Sequence, residues 1–157
     1  MSVRCAAFVV SGSSVLVVDA EVPDDKAEPI VIMADATWTL QKGDASAAYS
    51  VMHQRCADYL RENKVDLAIV KASAVGAQGG GLSLLKSAEL RGVVISAAAS
   101  VCEVKQLAKG VVSKTYGNRK VDEYLADDAF WNAQTTGGSL RRMSREAAMY
   151  MIAARAG

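Results

Sequence analysis

The sequence predicts an α/β fold: a mixed sheet of three antiparallel N-terminal strands, then alternating helices and strands, with helices on both faces. Three observations carry this. The first thirty-five residues hold three short β-branched runs separated by turn signals. Residues 65–70 form an unbroken apolar run, as a strand covered on both faces requires. The segments on either side of that run change to helical spacing.

Taken in order, Val3–Val10 and Val15–Asp19 flank "SGSS" and read as a hairpin. The loop "EVPDDKAEP" holds both prolines of the chain, and Ile30–Ala34 makes a third strand. From Asp44 to Asn63, Ala48, Met52, Cys56, Tyr59 and Leu60 fall on one helical face, with Asp44 or Ser46 placed to cap the free N–H groups. Leu82–Ala99 is a long helix, apolar nearly all round and therefore expected to be well buried. Val101–Val104 is a weak strand, 106–116 a short helix, and 117–138 a polar, charged, irregular segment. Residues 140–155 close the chain as a helix with Leu140, Met143, Ala147, Tyr150 and Met151 at 3–4 spacing.

At 157 residues the chain is expected to be one domain, 1–157. Net charge is +1, but residues 1–64 carry 6 Lys/Arg against 9 Asp/Glu, whereas 105–145 carry 8 against 4. The second segment could face a polyanion; otherwise it is a solvated basic face. Cys5, Cys56 and Cys102 are odd in number, far apart and apolar in context, which argues against a disulfide scaffold or zinc site and for a reducing cytoplasm. No run approaches the ~20 apolar residues of a membrane span. The expectation is a soluble cytoplasmic protein.

The candidate site is the stretch "VDLAIVKASAVGAQGGGLSLLKSAELRGVV", where a buried strand ends at Lys71 and runs through a glycine-rich turn into a helix. Such strand–loop–helix junctions build sites at the carboxyl edge of a sheet. The loop is no Walker motif, because no Gly-Lys-Ser/Thr follows its glycines. The N–H groups of Gly79, Gly80 and Gly81 at a helix start could nevertheless hold one phosphate. His53 is the single histidine, without a second histidine or serine partner for triad chemistry. Trp38 and Trp131 fall in predicted loops, where they either plug the core or stack on a partner.

"GGGLSLLKSAELRGVVISAAA", "LAKGVVSKTYGNRKVDEYL" and "SREAAMYMIAARA" resemble successive segments of the RuvC branch of the ribonuclease H-like superfamily, the Holliday-junction resolvases. The chain is similar above all to a small bacterial family of unknown function in that superfamily. That family shares the N-terminal hairpin, the "KVD" entry to the fourth strand and the glycine-rich loop.

The resemblance implies a ribonuclease H-like fold and, in its active members, two divalent metals held by acids on the first strand, the end of the fourth strand and the last helix. Here the first-strand position falls on Ala7, Phe8 or Val9, the fourth-strand position on Lys71, and the helix positions on Glu146 and Met149. One carboxylate cannot hold a metal pair. The expectation is a catalytically degenerate domain with no cofactor, in which Lys71 pairs with Glu146 or else reaches to solvent. A nuclease alternative would need magnesium or manganese on other acids: Asp19, Glu21, Asp66, or the group Asp122, Glu123, Asp127 and Asp128. As a binding module the domain would take a DNA or RNA backbone on Arg119, Lys120, Arg141, Arg142 and Arg145; as a structural protein it would form a homodimer.

Overall fold

The computed structural model describes residues 1–72 and 81–156. Continuous apolar runs on either side of the Gly12 turn build a hairpin from β1 (Ser2–Ser11) and β2 (Ser14–Pro23), and β3 (Ile30–Thr39) extends the meander. Helix α1 (Ala45–Glu62) follows, its first turn capped by the Asp44 carboxylate, which accepts from the Ala47 N–H. Next come β4 (Leu67–Lys71), α2 (Leu82–Ala99) and β5 (Glu103–Leu107). Three short helices follow β5: α3 (Lys109–Thr115), α4 (Val121–Leu125) and α5 (Asp128–Gln134). A short strand β6 (Thr135–Gly137), a 3-10 turn (Arg142–Ser144) and α6 (Arg145–Ala156) end the chain.

The sheet order is β5-β4-β1-β2-β3-β6. β1, β2 and β3 pair antiparallel; β4 lies parallel to β1, β5 parallel to β4, and β6 parallel to β3. This is the mixed sheet the sequence predicts. Side-chain alternation splits the core in two. Ala6, Phe8, Val10, Val15, Val17, Ala68 and Val70 pack under α1 and α2. Cys5, Ala7, Leu16, Val18, Ile69 and the inner face of α6 form the other layer, which α4 and α5 complete through Tyr124 and Trp131.

Several elements differ from the sequence expectation. β3 runs five residues further, so Trp38 lies in a strand rather than a loop. It is buried against Phe8 and Tyr59, with the Arg55 guanidinium 4.8 Å from its ring centre. Trp131 is likewise buried, in α5, its Nε1–H donating to the Tyr124 carbonyl. The segment 117–138 is not irregular, because aromatic contacts among Tyr116, Tyr124, Phe130 and Trp131 hold two helices there. α2 is not buried all round: only the line Ser87, Leu90, Arg91, Val94, Ala97 and Ala98 is, while Leu82, Leu84 and Leu85 stand exposed in its first turn. The last helix starts at Arg145, so Met143 precedes it and is exposed. No helix among the described residues is long and apolar enough to cross a membrane.

Candidate functional site

β1, β4 and β5 run parallel, so their carboxyl ends share one edge of the sheet, where α6 crosses. Lys71 is the last residue of β4. Alternation puts it with Ile69 on the α6 face, and its Nζ lies 2.9 Å from Glu146 Oε2. The contact expected from the sequence is present. Both side chains are mostly withdrawn from water, at 27% and 18% exposure. The same Oε2 accepts a hydrogen bond from the Tyr150 hydroxyl at 3.0 Å, one helical turn along α6. Burial, with the neighbouring Glu146 charge, pushes the Tyr150 phenol well above its usual value, so Tyr150 stays a donor.

Lys109, at the start of α3 just beyond β5, meets Asp122 at 2.7 Å. The Asp122 hydrogen bond raises the Lys109 pKa against partial burial, and the Glu146 charge adds to it. The edge therefore carries two cations and two carboxylates in alternating pairs.

The register decides among the first-strand positions. Ala7 and Val9 face α6, whereas Phe8 turns to the opposite layer against Trp38. Met149 is fully buried in the α6 layer. The positions implied by the resemblance thus present a methyl or isopropyl group, an ammonium, one carboxylate already bonded twice, and a thioether. That donor set does not fit a pair of hard divalent cations, which need anionic oxygens. No group of three or more His, Cys, Asp or Glu residues among those described could hold a metal ion.

Of the other acids named from the sequence, Asp122 reaches this edge through Lys109, whereas Asp19, Glu21 and Asp66 do not. Asp19 pairs in register with Ala6 and so faces α1; it is fully buried, takes both Arg4 Nε and Nη2 at 2.6 and 2.7 Å, and accepts from the Tyr59 hydroxyl at 2.6 Å. Asp66 accepts the Arg4 N–H at the amino end of β4. Glu21 is exposed.

The five cations proposed to meet phosphate are engaged unequally. Arg119 pairs with Asp127 at 3.1 Å and lies over the Tyr124 ring; the Phe130 N–H, together with Arg119, holds the Asp127 carboxyl below its usual value. Arg145 pairs with Asp128 at 2.8 Å and donates to the Leu125 carbonyl. Arg141 pairs with Asp35 at 2.7 Å. Arg142 stands 3.6 Å from Asp128 and is 70% exposed. Lys120 is exposed at the start of α4, with no ion pair among the described residues. Of the loop glycines, Gly79 and Gly80 lie outside the described residues; Gly81 is exposed and precedes α2. His53 is half-buried on α1.

Sequence reasoning missed Asp35. Its carboxylate, 4% exposed, accepts from the Arg141 N–H at 2.8 Å, the Arg141 guanidinium, and the Ser144 hydroxyl at 2.6 Å. It therefore fixes the 3-10 turn on β3 and sets where α6, and so Glu146, begins. The signal lay in an acid inside a strand whose end was placed too early. Tyr150 was read as apolar only, although its i, i+4 spacing from Glu146 was visible.

Neither a protein-family profile nor a curated protein sequence matches this chain. Among solved structures, Thermus thermophilus RuvC superposes with TM-score 0.70 at 12% identity, covering 97% of this chain and 95% of that one. T. thermophilus RuvC in complex with a Holliday junction substrate gives TM-score 0.70 at 11% identity over 96% and 91%. The yeast mitochondrial Holliday junction resolvase Ydc2 gives 0.62 at 7% identity over 98% and 79%. The protein has the ribonuclease H-like fold in its RuvC-like form.

Burial works to raise the Asp35 pKa, but the hydrogen bonds from Arg141 and Ser144 outweigh it and hold the carboxyl below its ordinary value. A depressed carboxylate stabilises the fold above its unfolded pKa of about 3.9 and loses that contribution as pH falls through the lower folded value. Asp35→Asn should therefore cost about 2 kcal/mol in urea unfolding at pH 7. The gap to wild type should narrow progressively as pH falls below the unfolded value of about 3.9. A gap that stays constant with pH would contradict this role.

Proposed function

We propose that this chain is a catalytically inactive ribonuclease H-like domain that keeps a binding role. The observation that supports this reading is the Lys71–Glu146 contact at 2.9 Å. Where the resemblance implies an acid at the end of the fourth strand, an ammonium stands against the one remaining carboxylate. A metal ion arriving there would meet like charge worth about 4 kcal/mol per unit charge at 4 Å and an effective dielectric near 20. It would also have to break the Tyr150 bond to Glu146.

Wild-type protein should leave branched, duplex and single-stranded nucleic acids intact in magnesium or manganese. Cleavage abolished by Glu146→Ala would overturn the proposal. The converse change, Ala7→Asp with Lys71→Glu, sets three carboxylates on the α6 face. This variant should bind manganese measurably by calorimetry where wild type does not, and equal binding by the two proteins would contradict the account.

The binding role we propose is contact with a nucleic-acid backbone. The fold is that of a RuvC solved with a Holliday junction, and the segment 105–145 has an excess of four cations. Within the set Arg119, Lys120, Arg141, Arg142 and Arg145, the most available charges are Lys120 and Arg142. Contact with two phosphates gives weak, salt-sensitive binding with little sequence preference. A mobility-shift titration should show binding at micromolar protein in low salt. Binding should be lost on raising the salt, and weakened about tenfold by Lys120→Glu with Arg142→Glu. No shift in low salt would remove this role.

A second reading, a homodimer, rests on a different observation: Leu82 and Leu85, three residues apart at the start of α2, share an exposed apolar face at 66% and 62% exposure, with Leu84 also exposed nearby. Natural surfaces seldom leave clustered leucines in water. Light scattering should give twice the chain mass, falling to one chain with Leu82→Glu and Leu85→Glu. A wild-type mass of one chain would exclude it.

A further inference from the structure

At the amino ends of β1 and β4, away from Lys71, a cavity of about 260 Å³ opens between the sheet and the last turns of α6. Its floor is apolar: Cys5, Leu67, Ile69 and Met151. Two cations border it. Lys105, on the edge strand β5, is in register with Ile69 and so shares its face, where an apolar residue would complete the layer. Lys105 makes no ion pair among the described residues, and its stem also borders a second apolar hollow of about 150 Å³ beside α3. Arg155 donates to the carbonyls of Pro23, Asp25 and Glu28, which fix its guanidinium without supplying a counter-charge. The one acid among the described residues that line it, Asp24, lies 3.7 Å from the N-terminal ammonium. An apolar cleft with convergent like charge is the usual form of a small-ligand site.

We infer that this cavity is a binding site for a small carboxylate with an unbranched apolar tail, the tail lying on Cys5, Ile69 and Met151 and the carboxylate between Lys105 and Arg155. A cationic ligand is disfavoured by both border charges. A neutral one of the same length leaves Lys105 without a partner. The site is independent of the Lys71 edge, and its test does not involve nucleic acid or metal.

The probe is octanoate, titrated into isotope-labelled protein and followed by amide chemical shifts, with octan-1-ol as the neutral control. Octanoate should shift the amides of Cys5, Ile69 and Met151 and bind about tenfold more tightly than octanol, the worth of one charge-assisted contact. Lys105→Met keeps the aliphatic stem and should reduce that preference, Arg155 remaining, with octanol affinity changed less than octanoate affinity. Lys105→Glu should weaken octanoate further. Equal affinity for octanoate and octanol in wild type, an unchanged preference in Lys105→Met, or shifts confined to other residues would each overturn the assignment.

Discussion

A single carboxylate oxygen, Glu146 Oε2, accepts from the Lys71 ammonium and the Tyr150 hydroxyl together, and much of the molecule is arranged so that it can. For Lys71 to arrive there, β4 must run parallel to β1 and end on the α6 face. For Glu146 to arrive, α6 must begin at one place over the sheet, and Asp35 fixes that place by gripping Arg141 and Ser144. A charge this far from water is tolerable only when it is paired and hydrogen-bonded. The pair therefore imposes geometry more than it adds stability: loss of either partner strands the other.

The same logic governs the basic C-terminal segment. Its charge excess suggested an open polycationic face, yet most of its arginines lie against acids: Arg119 on Asp127, Arg145 on Asp128, Arg141 on Asp35. These pairs tie the short helices α4 and α5 and the turn before α6 to one another and to the sheet. Helices of five to seven residues cannot stand alone in water. The aromatic cluster of Tyr116, Tyr124, Phe130 and Trp131 and the guanidinium bonds supply what their length does not. Net charge overstated the free cation, because three of the segment's four arginines already lie against carboxylates.

Most of the fold was legible because period and turn chemistry are local properties. The hairpin, α1 with its Asp44 cap, the buried run before Lys71 and the span of α2 all follow from patterns within a dozen residues. Features that rest on tertiary contacts were not. The β3 extension goes with Trp38 meeting Phe8 on β1 and Tyr59 on α1. The helices α4 and α5 depend on tertiary aromatic contacts. The exposure of Leu82, Leu84 and Leu85 depends on which side of α2 packs inward, which a helix apolar nearly all round does not reveal. At the candidate site the Lys71–Glu146 contact was anticipated because both residues fall at positions the resemblance brings together. Asp35 was missed because a positioning acid leaves no motif, only an unusual place in a strand.

On the function proposed above, Lys71 and Glu146 form one coupled unit where a metal centre would otherwise stand. A double-mutant cycle measures that directly: Lys71→Met, Glu146→Gln and both together, each unfolded in urea at pH 7. Partial exposure moderates the pair, so the account predicts a favourable coupling of about 1–2 kcal/mol, unchanged by millimolar manganese. Additive single changes, with manganese raising the stability of wild type but not of Glu146→Gln, would contradict it.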